Sequence, residues 1–142
     1  AFVLGAPPVP EARIETLIGR HPTQRKRFSS RVSHGKRAVT HYRAVKIGDI
    51  SELEVEIETG RTHQIRVHLS DSGLPIVGEA LYGGRRWARI GDSRAREIAR
   101  VQGRQALHAE QLEISHPRSA RRLLFRAKLP ADLEGLRKAL GS

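Results

Sequence analysis

Residues 53–84 read LEVEIETGRTHQIRVHLSDSGLPIVGEALYGG. Leu53, Val55 and Ile57 alternate with Glu54, Glu56 and Glu58, the period of two that gives a strand one buried and one solvated face. Gly60 breaks that strand. Thr62 is suited to cap the next element, and Gly73 with Pro75 behind it is a helix stop, so the signals predict a helix of about three turns from Thr62 to Ser72. A second strand competes, because Ile65, Val67 and Leu69 also alternate with Gln64, Arg66 and His68; the end signals favour the helix. On a helix His63 and Arg66 are i, i+3 neighbours, roughly 5–6 Å apart at Cβ. They would then act as one patch. The run from Thr59 to His68 carries Arg61, His63, Gln64, Arg66 and His68, a density of hydrogen-bond donors that a generic surface does not have.

Working outward, the 142 residues suit one domain, here taken as 1–142, and the 38% hydrophobic content is enough for a core. Cysteine and methionine are both absent. The fold therefore rests on packing alone, with no disulfide and no thiolate metal site. No apolar run has the length of a membrane span and the first residues lack the pattern of a signal peptide, so a cytoplasmic protein with no membrane partner is expected. Lys and Arg number 26 against 15 acids, a formal net charge of +11. Such an excess points to a polyanionic partner, nucleic acid first, with solubility alone as the plainer reading.

Ala1 to Gly5 is a candidate for a short apolar strand, and Ala6 to Pro10 for an extended, proline-rich connection. From Arg20 to Lys46 there is no acid. Within that span RFSSRV and RAVTHYRAV flank Ser33-His34-Gly35-Lys36 and read as a hairpin. Phe28 and Val32 would face inward, as would Ala38, Thr40, Tyr42 and Ala44, leaving Arg25, Lys26, Arg27, Lys36 and Arg37 to meet either phosphates or solvent. After the 53–84 stretch, SRAREIARV at 93–101 forms a short helix with Ile98 and Val101 on one side, in an Arg-rich interval read rather as a surface insertion than as an RNA contact. Leu112 to Ile114 and Leu123 to Phe125 frame a turn at His116 to Ser119. Asp132 caps a closing helix on which Leu133, Leu136 and Leu140 recur. The pattern is α+β: a mainly antiparallel or mixed sheet with hairpins and a few short helices.

Several chemistries lack their residues. His63 and His68 are five apart with no glutamate between them, which is not HExxH, so no metal site is expected. GxSxG, GxxxxGK[ST] and GxGxxG are all missing, and no cofactor is expected. Arg61, His63 and Gln64 stand between two roles, contacting a substrate or holding the loop that positions Arg66. Tyr82 reads as packing rather than catalysis.

TGRTHQIRVH, then GLPIVGEALYGG, then RQALHAEQLEISHP at 104–117 resemble, in order and spacing, the RluA/RluD family of RNA pseudouridine synthases, with weaker similarity from AFVLG at the start to Leu129-Pro130. The resemblance implies a catalytic domain of that fold and an isomerase that detaches uracil from its ribose, turns the base and rejoins it through carbon. It implies a nucleophilic aspartate in an HRLD-like motif, a tyrosine against the target base, and an arginine paired with the aspartate. By motif position that arginine is Arg66. Asp49, Asp71, Asp92 and Asp132 lie in none of the right contexts, so the chain is expected to be the C-terminal part of the domain, inactive alone, with the aspartate and tyrosine upstream of Ala1. A guanidinium suits the role physically: a carboxylate kept ionised in a cavity closed by a base loses hydration, and a planar, permanently charged fork offsets that loss with two hydrogen bonds. The expected partner is ribosomal or transfer RNA, bound by a monomer through Arg61, His63, Gln64 and the basic residues of 25–37. The alternative is a non-catalytic RNA-binding module on the same scaffold.

Overall fold

The computed structural model describes residues 1–141. Two compact units divide the chain, Ala1–Ala106 and a second beginning at Leu107. The fold is α+β, as expected.

In the first unit the strands β1 (Phe2–Leu4), β2 (Glu11–Arg20), β3 (Phe28–Ser29), β4 (Lys36–Lys46) and β5 (Ile50–Ile57) form one antiparallel sheet in the order β1-β5-β4-β2-β3. The expected hairpin between 28–32 and 38–44 is replaced by a pairing of β2 with β4, from Glu11 opposite Arg43 to Ile18 opposite Lys36. Residues 28–29 instead pair with Gly19 and Arg20 on the other edge of β2. The reason lies in Glu11 to Ile18, where Ala12, Ile14, Thr16 and Ile18 alternate with Glu11, Arg13, Glu15 and Leu17 and present a longer half-buried face than RFSSRV offers. On β4 the inward set is as expected at Ala38, Thr40 and Tyr42, all buried. On β5 the alternation holds at Leu53 and fades toward Ile57, which is 47% exposed.

The helix α1 (Gln64–Asp71) starts later than the expected Thr62. Its N-cap is His63, in the left-handed region at φ 58°, with no capping side chain. The stop is where the sequence put it: Gly73 turns at φ +80°, and the amides of Ser72, Gly73 and Leu74 donate to the carbonyls of His68, Ser70 and Leu69. Val67 packs with Ile18 and Ala38, with Phe28 and Tyr82 against them. Leu69, Leu74, Ile76 and Val77 complete the interior with Phe2, Val3 and Val39.

A 3-10 turn (Arg86–Arg89) leads to α2 (Ser93–Val101). The buried side chains of α2 are Ala95 and Ala99, and Val101 is 60% exposed. Asp92 sets this phase by accepting the Ala95 amide at 2.7 Å, and the two alanines permit close approach on the face so chosen. In the second unit β6 (Gln111–Ser115) and β7 (Arg122–Arg126) form the hairpin read from sequence. The closing helix α3 (Ala131–Gly141) begins before Asp132, which therefore lies in its first turn rather than at its cap. Leu133 and Leu136 are its buried residues.

Candidate active site

Thr59 to His63 is a turn that must be held, because its backbone leaves a strand and enters a helix through a left-handed residue. Gln64 holds it. Its amide nitrogen donates to the Val39 carbonyl and the Thr40 hydroxyl, both at 2.9 Å, and its oxygen accepts from the Thr59 hydroxyl at 2.7 Å and the Arg61 amide at 3.1 Å. With Gln64 buried at 3% exposure, these bonds tie the loop to β4. Arg61 adds a bond from Nε to the Arg37 carbonyl at 3.0 Å. Of the two roles left open for Gln64, the geometry is that of a loop holder.

Behind Gln64 the polar chain continues inward. Thr40 Oγ1 lies 2.8 Å from His68 Nδ1, and His68 Nε2 lies 2.8 Å from Thr16 Oγ1. Each hydroxyl can donate to or accept from the ring nitrogen it faces, so the ring is satisfied while neutral in either tautomer. Burial holds the His68 pKa below its ordinary value, with Asp71 pulling the other way.

Arg66 emerges on the next part of α1. Its Nε and Nη2 donate to Oε2 and Oε1 of Glu79 at 2.5 and 2.9 Å, a two-bond fork. The Glu79 side chain is 2% exposed and that of Arg66 15%. Glu79 also accepts from the Leu81 amide at 2.8 Å. Burial alone would raise the Glu79 pKa, but the Arg66 fork and the backbone amides outweigh it and hold the carboxylate below its usual range. The Arg66 pKa is raised, by the Glu79 bond first. The fork occupies the Nε edge of the guanidinium, and the Nη1 end is the part left for a second anion.

Tyr82 joins these groups. The Arg66 guanidinium carbon lies 5.2 Å from its ring centroid, as does that of Arg27. The hydroxyl accepts the Phe28 amide at 2.9 Å and stands 2.8 Å from His63 Nδ1. The His63 ring meets Tyr82 and Phe28 edge-on at 5.7 and 5.6 Å. Burial lowers the His63 pKa, with Arg66 adding to the effect and Glu79 opposing it, so the neutral ring is favoured in its hydrogen bond with the tyrosine hydroxyl. His63 and Arg66 do share a patch, through Tyr82 rather than by direct contact.

The other basic residues separate. Arg25 and Lys26 are exposed in the turn before β3, and Lys36 is exposed at the start of β4. Arg37 is paired with Glu15 at 2.5 Å. The outer face of β4 and its neighbours, expected to be a bare basic surface, is an ion-pair lattice that includes Arg13 with Glu15, His41 with Glu58, and Arg43 with Glu54. Glu79 escaped the sequence reading altogether. Its signal was a single acid in the apolar run Leu74 to Leu81, which requires a buried cation. Among the described residues no three His, Asp or Glu gather as a metal cluster, and no helix is long and apolar enough to cross a membrane.

The antiparallel α+β fold is shared with a known class of enzymes. The chain belongs to the RNA pseudouridylate synthase family, whose model matches residues 1–71. It is 48% identical over 135 residues to an uncharacterized RNA pseudouridine synthase of Chloroflexus aurantiacus, covering 94% of this chain and 39% of the relative. It is 44% identical over 128 residues to the ribosomal large subunit pseudouridine synthase D of Nitrosomonas europaea, covering 89% of this chain and 36% of that one. The chain thus spans about two fifths of the length of these curated relatives. Among solved structures, human RNA pseudouridylate synthase domain containing 1 superposes with a TM-score of 0.69 at 25% identity, over 100% of this chain and 64% of that one.

Proposed function

We propose that this chain is part of the catalytic domain of an RNA pseudouridine synthase, acting on uridine in structured RNA, and that Arg66 is its catalytic arginine. In the reaction the bond from ribose to the ring nitrogen breaks, a carbon–carbon bond forms in its place, the hydrogen of uracil carbon 5 leaves to water as a proton, and the freed ring nitrogen takes up a proton, so that the product is an isomer of the substrate. Arg66 supports an ionised aspartate through the end of its guanidinium that Glu79 does not hold. The observation that carries this reading is the Arg66–Glu79 fork. A buried carboxylate fixes the arginine in one orientation and keeps it charged, so the enzyme need not order a flexible side chain during the reaction.

The aspartate is supplied from outside these residues. Asp92 caps α2, Asp49 accepts the Asp92 amide, and Asp71 accepts from the Ser30 hydroxyl, so each has a local task. Asp132 lies in the first turn of α3, where a carboxylate meets the positive end of the helix. The relatives named for the large ribosomal subunit favour ribosomal RNA as substrate. The test is tritium release from RNA carrying carbon-5-labelled uridine. The 142-residue chain alone is expected to release none, and the same chain joined to an aspartate-bearing segment is expected to turn over. Robust release by the chain alone would refute the external aspartate, and none from the joined protein would refute the enzymatic reading.

A further inference from the structure

A cleft of about 340 Å³ opens beside Tyr82, between the turn that precedes β3 and the end of α1. His21, Arg27, Arg31 and Arg86 contribute to its lining, as does Asp71. Three guanidiniums against one carboxylate make it a basic site. Arg27 carries the decisive observation. Its Nη1 donates to Gln24 at 3.0 Å, yet its Nε is buried with no hydrogen-bond partner among the described residues. A buried donor on a charged group is costly to leave unmade, and an anion seated in the cleft against the same guanidinium offsets that cost by its charge.

His21 is prepared for the same ligand. The amides of Thr23 and Gln24 donate to its Nδ1 at 3.3 and 3.2 Å, which fixes the hydrogen of the neutral ring on Nε2 and makes that atom a donor. The one acid of the lining limits what fits. Asp71 accepts from Ser30 and, with the carbonyl end of α1, repels a second negative charge. The cleft therefore suits one compact anion.

We propose that this cleft binds a single phosphate of the RNA backbone, next to the nucleotide on which Arg66 acts. The placement follows from Tyr82: the Arg27 and Arg66 guanidinium carbons each lie 5.2 Å from the same ring centroid, so they are separated by no more than twice that distance. The inference rests on RNA being the partner, and the two arms of the test separate them.

In the first arm the 142-residue chain is titrated with inorganic phosphate and followed by the NMR signals of the arginine Nε–H groups and of His21. The Arg27 signal is expected to move and saturate. Arg31→Gln, at an exposed position, is expected to weaken the titration several-fold, Asp71→Asn to strengthen it, and Arg94→Gln on the exposed face of α2 to leave it unchanged. An Arg27 signal that does not respond, or an Arg94→Gln effect equal to that of Arg31→Gln, overturns the site. In the second arm the salt dependence of binding to single-stranded RNA is measured for the wild type, Arg27→Gln and Arg31→Gln. Loss of the phosphate contact is expected to reduce the log–log slope by about 0.7. Saturable phosphate binding with an unaltered RNA slope overturns RNA as the source of the anion, and a wild-type chain that does not bind RNA at all overturns the RNA reading itself.

Discussion

Arg66 and Glu79 lie thirteen residues apart in sequence and meet through two parallel hydrogen bonds, with the carboxylate almost wholly buried and the guanidinium partly open. The pair is asymmetric in consequence. Removing Glu79 leaves a cation that reaches solvent, whereas removing Arg66 leaves an anion that does not.

Glu79→Ala should therefore cost stability as well as geometry. Breaking a buried pair by deleting one partner typically costs about 3–5 kcal/mol, and urea denaturation of the chain is expected to show a loss near the lower end because Arg66 relaxes toward water. The carboxylate, held below its usual pKa by Arg66 and the backbone amides against the pull of burial, contributes stability that is complete above its unfolded value and lost as pH falls through the folded one. Glu79→Gln is expected to flatten that acid limb. An unchanged acid limb would show that the pair does not govern it.

His68 sets a second pH dependence at milder acidity. Buried between Thr16 and Thr40, it is neutral in the fold, and its pKa lies below the ordinary value of about 6.5. The unfolded chain takes up its proton first as pH drops below about 6.5, so stability falls from there through the depressed folded value. His63, also lowered, acts in the same sense. His68→Gln is expected to be less stable at pH 8 but to lose less on going to pH 5.5, and thermal melts at the two pH values measure the difference. Equal slopes for the variant and the wild type would count against a neutral buried His68.

How much of this was legible in the sequence depends on how local each device is. Gly73 and Pro75 ended α1 where they were read to do so, because a left-handed residue and a missing donor act on their own chain neighbours. The start of α1 was misplaced because its fastening is tertiary: Gln64 reaches Val39 and Thr40 on β4, which no local rule anticipates. The strand at Glu11–Arg20 was hidden by its weak inward residues, Ala12 and Thr16 among them. Arg37 looked like a phosphate ligand in a run without acids, yet its partner Glu15 comes from the neighbouring strand. Arg66 was singled out by its motif, but its contacts with Glu79 and Tyr82 required the turn at Gly78 to be seen.

That turn makes its own prediction. Gly78 has φ +74°, and a Cβ there would collide with the backbone carbonyl of Arg104 as well as with the Gln102 side chain. Gly78→Ala meets both a strained dihedral and an immovable neighbour, so it should destabilise by more than about 1 kcal/mol. Because the turn delivers Glu79 to Arg66, the variant is also expected to broaden the Arg66 Nε–H NMR signal. A fully stable Gly78→Ala with a sharp signal would mean that the 78–104 contact yields freely.

The last prediction separates catalytic support from simple attraction to RNA. In a protein carrying this chain together with the aspartate, Arg66→Lys keeps the charge but replaces a planar fork by a point ammonium, which cannot bind Glu79 through two parallel bonds and still present a directed donor to a second carboxylate. A charge-assisted hydrogen bond lost only at the reacting centre is worth about 1.5–3 kcal/mol, so the single-turnover rate at saturating RNA should fall roughly 10- to 100-fold while affinity for RNA changes little. Arg66→Ala should fall further, since it leaves Glu79 unpaired and lets the aspartate pKa rise, so that less of the nucleophile is ionised. A phosphate-binding Arg66 predicts the reverse: weakened affinity, a shallower salt slope and a preserved rate at saturation. The geometry favours the first outcome, because Glu79 already neutralises Arg66 and a neutralised guanidinium is a poor attractor of distant phosphates. A wild-type rate paired with weakened binding in Arg66→Lys would overturn the assignment.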